Sequence, residues 1–325
     1  METVILDVRK SGEEAIEQAA QLLRRGEIVA FPTETVYGLG AVVWNEEAVR
    51  KIFVAKGRPL DNPLIVHIAS IQMALPLVRE PLDRFQLLAR HFWPGPLTLV
   101  VEHRGNVPSI VTAGLPTVAI RMPDHPVALA LIEKVGEPLV APSANRSGKP
   151  SPTRAEHVVE DLAGSIAAVL DAGPTQVGIE STVLVLTTEP PRIVRPGVVT
   201  KEVLETVLGV PIEEVRSDDV NRPVAPGMKY RHYAPTVPVQ LFENPEELDQ
   251  ALQGAPERRI LVLALPQWRT RFQHYPGYRL LSEQTLYETF READRDRWEA
   301  VWILADKEVQ RRRGLYNRIL KAATS

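Results

Sequence analysis

The chain of 325 residues contains no cysteine. This absence excludes disulfide bonds, thiolate catalysis, iron–sulfur clusters and cysteine-ligated zinc sites. Long apolar segments are also lacking, because the longest stretches without Asp, Glu, Lys or Arg, residues 62–78 and 105–120, carry prolines and polar side chains. We therefore expect no membrane span and no secretory signal, and the sequence predicts a cytoplasmic protein.

An excess of positive charge is absent as well. The chain has 38 Lys and Arg against 41 Asp and Glu, a net charge of -3. This balance excludes a basic coat over the whole chain for binding nucleic acid, but it permits a local cationic cleft. The length predicts about two domains at ~150 residues each.

Proline, by contrast, is abundant, with 28 residues. The prolines stand at the ends of short apolar runs, where they end helices and strands and stiffen loops. These runs, rich in Val, Ile and Leu, alternate irregularly with helical patterns through the first two-thirds of the chain. The pattern favours an α/β fold built on a twisted mixed sheet over a doubly wound parallel sheet.

The composition changes near residue 211, where an irregular segment rich in proline begins. We therefore divide the chain into a catalytic domain at residues 1–210, a connector at 211–237 and a small accessory domain at 238–325. For the accessory domain the sequence predicts a Rossmann-like α/β arrangement, with strands at 239–242, 260–265 and 300–304 and helices at 283–292 and 315–323.

Four polar clusters follow apolar strands, where ligand sites of open α/β sheets lie. The first, P-T-E-T-V-Y-G-L-G at 32–40, is either a polar pocket floor or a turn rich in Thr and Gly. In the second, Lys56 and Arg58 leave a predicted helix at Gly57 and either clamp phosphates or offset the helix dipole. His67 ends the strand that follows, a position typical of a buried core histidine.

The third and fourth clusters add a cation and a group of small polar side chains. Arg121 closes a strand, where it either captures a carboxylate in bidentate fashion or pairs with Asp124. Residues 141–151 crowd hydroxyls, an amide and two bases into one loop, a composition suited to a phosphate or ribose cradle. The spacing there matches neither a Walker A loop nor a nucleophile elbow.

No protein-held metal site is expected, because the seven histidines show no H-E-x-x-H pairing. The four clusters together supply cations, hydroxyls and an amide without an evident nucleophile. This inventory indicates nucleotide chemistry performed by positioning and charge neutralisation.

These motifs, taken in order, resemble the YrdC-like threonylcarbamoyl-AMP synthase family. The resemblance rests on the P-T-E-T-V-Y-G-L-G string, K-x-R at 56–58 leading into P-L-x-x-P-L at 59–64, W-P-G-P-L-T at 93–98, S-x-N at 143–145 and S-T-V at 181–183. The string P-G-M-K-Y-R-H-Y-A-P at 226–235 is similar to the long two-domain form of that family. In the accessory domain the likeness is weaker and rests on Asn317-Arg318 and residues 321–323.

The resemblance implies a YrdC-like catalytic domain and a reaction. L-threonine, bicarbonate and ATP, with Mg²⁺ carried by the nucleotide, would give threonylcarbamoyl-AMP and pyrophosphate for the threonylcarbamoyladenosine modification of tRNA. A carbamate formed on the threonine amine would attack the α-phosphate of ATP. Further implied partners are tRNA and downstream tRNA-modification proteins.

The resemblance also implies a role for individual residues. The catalytic group would be Lys56, Arg58, Ser143 and Asn145. L-threonine would be bound by Thr35, His67, Arg121, Ala141 and Ser181. ATP would be bound by Arg58, Asn62, Thr117, Ser143, Ser151, Arg195 and Tyr233.

The connector has a composition of its own. Residues 229–233, Lys-Tyr-Arg-His-Tyr, place three bases and two aromatics between Gly227 and Pro235. We predict that this segment is a lid that excludes water from the catalytic mouth and protects a hydrolysable mixed anhydride. The alternative is a solvated, charged connector.

Three other functions stay open at this point. Residues 268–275 interleave aromatics with bases, which is typical either of an RNA-stacking platform without catalysis or of a surface loop, and 311–313 add three arginines. The accessory domain is alternatively a docking surface for downstream modification partners. A related carbamoyl-adenylate-forming enzyme is the third alternative.

Overall fold

The computed structural model describes residues 2–79, 82–215 and 233–323. The first domain is built on an eleven-stranded mixed sheet with the order β1-β8-β2-β3-β7-β4-β6-β5-β9-β10-β11. Its strands are β1 (Val4–Asp7), β2 (Val29–Phe31), β3 (Gly38–Val42), β4 (Ile65–His67), β5 (Leu97–Glu102), β6 (Thr117–Arg121), β7 (Leu139–Val140), β8 (Ala168–Asp171), β9 (Thr182–Val185), β10 (Arg192–Arg195) and β11 (Glu213–Glu214). The predicted twisted mixed sheet is therefore confirmed.

Helices cover both faces of this sheet. They are α1 (Val8–Arg24), α2 (Glu46–Lys56), α3 (Ile71–Ala74), α4 (Asp83–Phe92), α5 (Ser109–Thr112), α6 (Pro126–Val135), α7 (Ala155–Leu162) and α8 (Lys201–Leu208). Leu23 of α1 and Leu131 of α6 belong to one apolar core, whereas Ile52 of α2 and Leu88 of α4 belong to the other. Each sheet face is thus buried against its own helical layer.

The second domain contains a four-stranded parallel sheet in the order β12-β15-β13-β14. Its elements are β12 (Val239–Phe242), α9 (Pro245–Gln253), β13 (Ile260–Ala264), a 3₁₀ turn (Pro266–Trp268), α10 (Arg269–Phe272), β14 (Tyr278–Leu280), α11 (Leu286–Arg295), β15 (Ala300–Leu304), α12 (Lys307–Arg311) and α13 (Arg313–Ala323). The parallel sheet between helices confirms the predicted Rossmann-like fold class.

Several elements differ from the sequence prediction. Residues 38–40, which belong to the first polar cluster and for which no strand was predicted, begin β3. Glycine is a poor strand former. At Gly40, however, a Cβ atom would come within 2.9 Å of the Phe31 ring. The missing side chain therefore leaves room for that ring in the core. The helix α9 and the strand β14 were not predicted, and α11 begins at Leu286 rather than at residue 283. The short strand β11 lies inside the segment assigned to the connector and pairs with β10.

The basic and aromatic string at 268–275 is not an open loop. It forms the end of the 3₁₀ turn and α10, in which Phe272 is fully buried. Arg271 lies 2.5 Å from Asp249, and the Trp268 indole donates to Asp306. Trp268, Arg271 and Phe272 are therefore engaged inside the second domain, so these three side chains are not free to serve the stacking platform considered above.

The two domains share a core. Val36 and Ile179 of the first domain pack in one apolar cluster with Leu286, Tyr287 and Leu315 of the second. None of the helices among the described residues combines the length and the apolar character that crossing a bilayer requires.

Candidate functional site

The ends of several strands meet at one edge of the large sheet. Strands β4 and β6 are parallel, and their last residues, His67 and Arg121, are register partners. Strand β5 runs antiparallel to β6 and therefore begins at this edge. Its first residue, Leu97, is the register partner of Thr182, the first residue of β9. Strand β10 ends there at Arg195. The topology thus gathers at one edge the polar residues that follow or end separate strands.

These residues surround a partly open cleft at this edge of the sheet. Its lining comprises Thr33, Thr35, Val36, Gly38, Arg58, Ile65, His67, Arg121, Ala141, Pro142, Ser143, Glu180, Arg195 and Tyr233. The structure therefore brings together predicted members of all three groups, namely Thr35, Arg58, His67, Arg121, Ala141, Ser143, Arg195 and Tyr233.

Backbone hydrogen bonds fix the loop between β2 and β3 on one side of the cleft. The Thr33 hydroxyl accepts from the N–H groups of Thr35 and Val36 and donates to the Val36 carbonyl. The carbonyls of Glu34 and Thr35 accept from backbone N–H groups of residues 176–178. With its backbone held in this way, the loop presents the Glu34 and Thr35 side chains to Arg121.

Arg121 pairs with Glu34, not with Asp124 as the alternative interpretation of the sequence had it. Its Nη1 donates to the Thr35 hydroxyl at 2.9 Å, and its Nη2 lies 2.6 Å from Glu34 Oε2. The ion pair is misaligned for a hydrogen bond, so within the described residues both Glu34 oxygens and Arg121 Nη2 lack a hydrogen-bond partner although they are buried. Arg121 lines the cleft, whereas Glu34, which neutralises it, is buried and is not part of the lining.

His67 presents a neutral imidazole to the cleft. Its Nδ1 lies 3.2 Å from the Ile65 carbonyl, which places the proton on Nδ1 and leaves Nε2 as an acceptor. Burial, reinforced by the Arg121 charge, lowers the pKa of His67 to about 3. The predicted core histidine is buried, but it also lines the cleft.

Replacing His67 by Gln is expected to flatten the acid side of the stability curve. The unfolded chain binds a proton at His67 near pH 6.5, whereas the folded chain does so only near pH 3. Between these values the unfolded state holds more protons, so the free energy of unfolding falls as the pH falls. In His67→Gln this slope is expected to decrease by up to about 1.4 kcal/mol per pH unit.

Urea unfolding at a series of pH values between 4 and 7 measures that slope. The matched control is His91→Gln, which replaces an exposed histidine on α4. Equal slopes for His67→Gln and the unmodified chain would contradict the neutral assignment of His67.

Lys56 and Arg58 are buried and point inward, so they do not act as a solvated helix end. Helix α2 ends at Lys56 because Gly57 adopts the left-handed conformation, with φ of 59°. The Lys56 ammonium donates to the carbonyls of Ser143 at 2.5 Å and of Asn145 at 2.6 Å. Arg58 donates to the carbonyls of Asn62 and Pro63. Burial, together with the charge of Arg58, holds the pKa of Lys56 well below its usual range.

The opposite side of the cleft carries Glu180 and Arg195. The Ser151 hydroxyl donates to Glu180 Oε1, and Arg195 donates to the carbonyl and the hydroxyl of Ser181. Burial alone would raise the pKa of Glu180, but the Arg318 and Arg195 guanidinium groups outweigh it and lower that pKa to about 2. The site thus contains an ionised carboxylate among several cations.

Six predicted residues do not line the cleft: Lys56, Asn62, Thr117, Asn145, Ser151 and Ser181. Most of them contact lining residues or their loops, as described above. Thr117 is different, because it starts β6 four positions before Arg121, about 13 Å away along the strand. Of the predicted lid, Lys229–His232 lie outside the described residues, while Tyr233 lines the cleft.

The site residues assigned from the sequence omit two carboxylates, Glu34 and Glu180. Glu34 lies inside the quoted string at 32–40, and Glu180 lies directly before S-T-V. The available signal was an acid between two threonines for Glu34 and an acid directly before two small hydroxyl residues for Glu180. Within residues 2–79, 82–215 and 233–323, no three His, Asp or Glu side chains converge as a metal-binding group.

Comparisons with known proteins find similar sequences for both domains of the chain. Residues 21–197 match the family Sua5_yciO_yrdC, described as "Telomere recombination". Residues 199–324 match the family described as "Threonylcarbamoyl-AMP synthase, C-terminal domain". A threonylcarbamoyl-AMP synthase of Bacillus subtilis is 46% identical over 333 residues, which cover 98% of this chain and 96% of the relative. One from Pyrococcus abyssi is 52% identical over 252 residues, with 75% and 73% covered.

Solved structures give the same result. The crystal structure of Pyrococcus abyssi Sua5 complexed with L-threonine superposes with a TM-score of 0.91 at 40% identity, covering 99% of this chain and 98% of that one. Escherichia coli YciO superposes with a TM-score of 0.54 at 22% identity, covering 62% of this chain and 97% of its own, and therefore shows a shared fold alone.

Proposed function

The chain belongs to the threonylcarbamoyl-AMP synthase family, and we propose that its cleft joins L-threonine, bicarbonate and ATP into threonylcarbamoyl-AMP and pyrophosphate. The observation that carries this proposal is the guanidinium of Arg121 on the cleft lining, beside the neutral acceptor of His67. A free amino acid carries a carboxylate, an amino group and, in threonine, a hydroxyl. The cleft lining offers cations, the neutral acceptor of His67 and the carboxylate of Glu180, which are groups of matching kind.

On the threonine side, Arg121 binds the carboxylate and His67 Nε2 accepts from an amino N–H. Glu34, Thr35, Ala141 and Ser181 shape the same end of the cleft. Bicarbonate and the threonine amine combine to a carbamate with loss of water. An oxygen of this carbamate attacks the α-phosphorus of ATP, and the bond to pyrophosphate breaks.

On the nucleotide side, the attacking carbamate and the triphosphate are both anionic, so their approach requires neutralising charge. Arg58 and Arg195 line the cleft, and Lys56 lies beneath the loop that carries Ser143 and Asn145. We assign Asn62, Thr117, Ser151 and Tyr233 to the nucleotide as well. Because Ser151, Tyr287 and Arg318 occupy the oxygens of Glu180, the site fits Mg²⁺ held by the phosphates and water rather than by a protein cage.

The product is a mixed carbamic–phosphoric anhydride, a carbamoyl donor activated for transfer to a nucleophile. We propose that it serves the threonylcarbamoyladenosine modification of tRNA in the cytoplasm. Either tRNA or downstream modification proteins then receive the threonylcarbamoyl group. The enzyme class is accordingly a nucleotidyltransferase.

Omitting one substrate at a time tests this function. With ATP present, pyrophosphate release is expected to require both L-threonine and bicarbonate, and each omission should reduce release to the background of heat-denatured protein. D-threonine in place of L-threonine is the matched control for binding at the Arg121 end. Undiminished release without threonine would indicate another adenylation or plain ATP hydrolysis and would overturn the proposal.

A further inference from the structure

Two side chains of the second domain reach into the wall of the cleft. Arg318 of α13 donates from Nε to Glu180 Oε2 at 2.8 Å and from Nη2 to the Glu180 carbonyl at 3.1 Å. The Tyr287 hydroxyl of α11 donates to the same Oε2 at 2.9 Å. Arg318 is fully buried, and its Nη1 also donates to the Pro196 carbonyl, next to Arg195.

The same two side chains support a second residue of the cleft, Tyr233. Its ring stacks on that of Tyr287, with centroids 5.7 Å apart. The Arg318 guanidinium lies over the Tyr233 ring at 5.4 Å from its centroid. Tyr233 holds a positive φ of 73°, a conformation that a tyrosine keeps only when its surroundings enforce it. The second domain supplies part of those surroundings.

Close backbone contacts hold the second domain against the residues on either side of Glu180. A Cβ atom at Gly314, at the start of α13, would come within 2.8 Å of the Gly197 backbone. A Cβ atom at Gly178 would come within 2.5 Å of the Gln284 backbone. Gly178 and Gly197 lie on either side of Glu180 in the sequence, so the domain contact has little freedom to shift at this point.

We propose that Arg318 and Tyr287 are positioning residues of the active site, which hold the Glu180 carboxylate and the Tyr233 ring in their places on the cleft wall. The second domain is then a structural part of the nucleotide side of the site rather than only a docking surface. This inference rests on the proposed function for its activity readouts.

The chemical consequence concerns Ser151. An ionised Glu180 accepts a hydrogen bond from the Ser151 hydroxyl and thereby fixes which way that hydroxyl points. Without Arg318, burial favours the protonated carboxyl, which is itself a donor and no longer orients the serine. Loss of Arg318 should therefore weaken the nucleotide side most, and should do so increasingly as the pH falls.

The test compares Arg318→Gln and Tyr287→Phe with Arg291→Gln. Arg291 is the matched control because it is a buried arginine of the second domain that pairs with Asp161 across the same interface and does not contact Glu180. In Arg318→Gln we expect KM for ATP to rise about 10- to 100-fold, with a much smaller change in KM for threonine. As the pH is lowered, kcat/KM for ATP should fall in Arg318→Gln but not in the unmodified chain.

Tyr287→Phe keeps the ring stacked on Tyr233 and is expected to shift KM for ATP in the same direction by a few-fold. Arg291→Gln should lower the melting temperature, but its kcat/KM for ATP should not fall toward acid pH. If Arg318→Gln does not fold, two other variants test the inference. Arg318→Lys keeps the positive charge but loses the planar guanidinium with its several donors, and Gly314→Ala displaces α13. Both should raise KM for ATP.

Two results would overturn the inference. The first is that Arg318→Gln and Arg291→Gln show equal KM values for ATP and equal pH profiles. The second is that the variants change the melting temperature while KM for ATP stays unchanged in all of them. Calorimetric titration with ATP alone separates this failure from failure of the proposed function. If the unmodified chain forms no threonylcarbamoyl-AMP while Arg318→Gln still loses ATP affinity toward acid pH, the proposed function falls and the positioning role stands.

Discussion

Replacing Lys56 by Met and Arg58 by Ala in one chain is expected to lower kcat/KM for ATP by at least about 10³-fold, because single donors at a charged transition state contribute about 10²- to 10³-fold each. Both cations are buried rather than solvated, Arg58 on the lining of the cleft and Lys56 beneath the loop that carries Ser143 and Asn145. Lys56 also tethers the carbonyls of Ser143 and Asn145. The double substitution therefore removes two charges and loosens the loop that carries two predicted catalytic residues. Pyrophosphate release measures the effect.

The same helix provides the control. Arg50 and Lys51 precede Lys56 on α2, Arg50 is exposed, and Lys51 pairs with Glu27 away from the cleft. Arg50→Ala/Lys51→Met removes the same formal charge and is expected to keep pyrophosphate formation within a few-fold of the unmodified chain. If Lys56→Met/Arg58→Ala instead keeps its activity and loses only thermal stability, the two cations are loop tethers and not part of the phosphate site.

The position of the site could be predicted from the sequence because its residues end or follow strands. His67 and Arg121 close two apolar runs, and this placement alone indicated a shared edge. The partner of Arg121 could not be predicted in the same way. Asp124 is close in sequence, whereas Glu34 reaches Arg121 through the tertiary fold, although β7 and β4 lie between β3 and β6 in the sheet. Local spacing contains no information on that order.

Strand β3 illustrates a second limit. Gly38 and Gly40 have low strand propensity, and a string with two glycines is typical of a turn. The structure uses them as strand residues because their missing side chains leave room for Ala141 and Phe31. A tertiary contact therefore overrides a local preference, and no window of the sequence around residue 38 records the contact.

The role of Arg318 lies still further from what a sequence pattern shows. It is separated from Glu180 by 138 positions, in a domain whose likeness to the family rested on few residues. An arginine in a C-terminal helix is ordinarily a solvated charge. Its full burial against a carboxylate of the other domain follows only from the docking of α13, which the Gly314 and Gly197 backbones permit by their close approach.

Replacing Arg121 by Gln is expected to have two separable effects. Glu34 would be left as a buried charge without its cation, which typically costs about 3–5 kcal/mol of unfolding free energy. The threonine carboxylate would lose its charged partner, and we expect KM for L-threonine to rise by about 100-fold or more. Urea unfolding measures the first effect and pyrophosphate release at varied threonine measures the second.

The double variant Glu34→Gln/Arg121→Gln separates binding from folding. Two neutral amides in place of the ion pair leave no buried charge, so most of the lost stability should return. If Arg121 binds the threonine carboxylate, KM for threonine should stay high in this stable protein, because a neutral amide does not replace a guanidinium opposite an anion. Recovery of KM together with stability would mean that Arg121 serves only to neutralise Glu34. The carboxylate of the substrate would then need another partner in the cleft, and Arg195 is a candidate because it also lines the cleft.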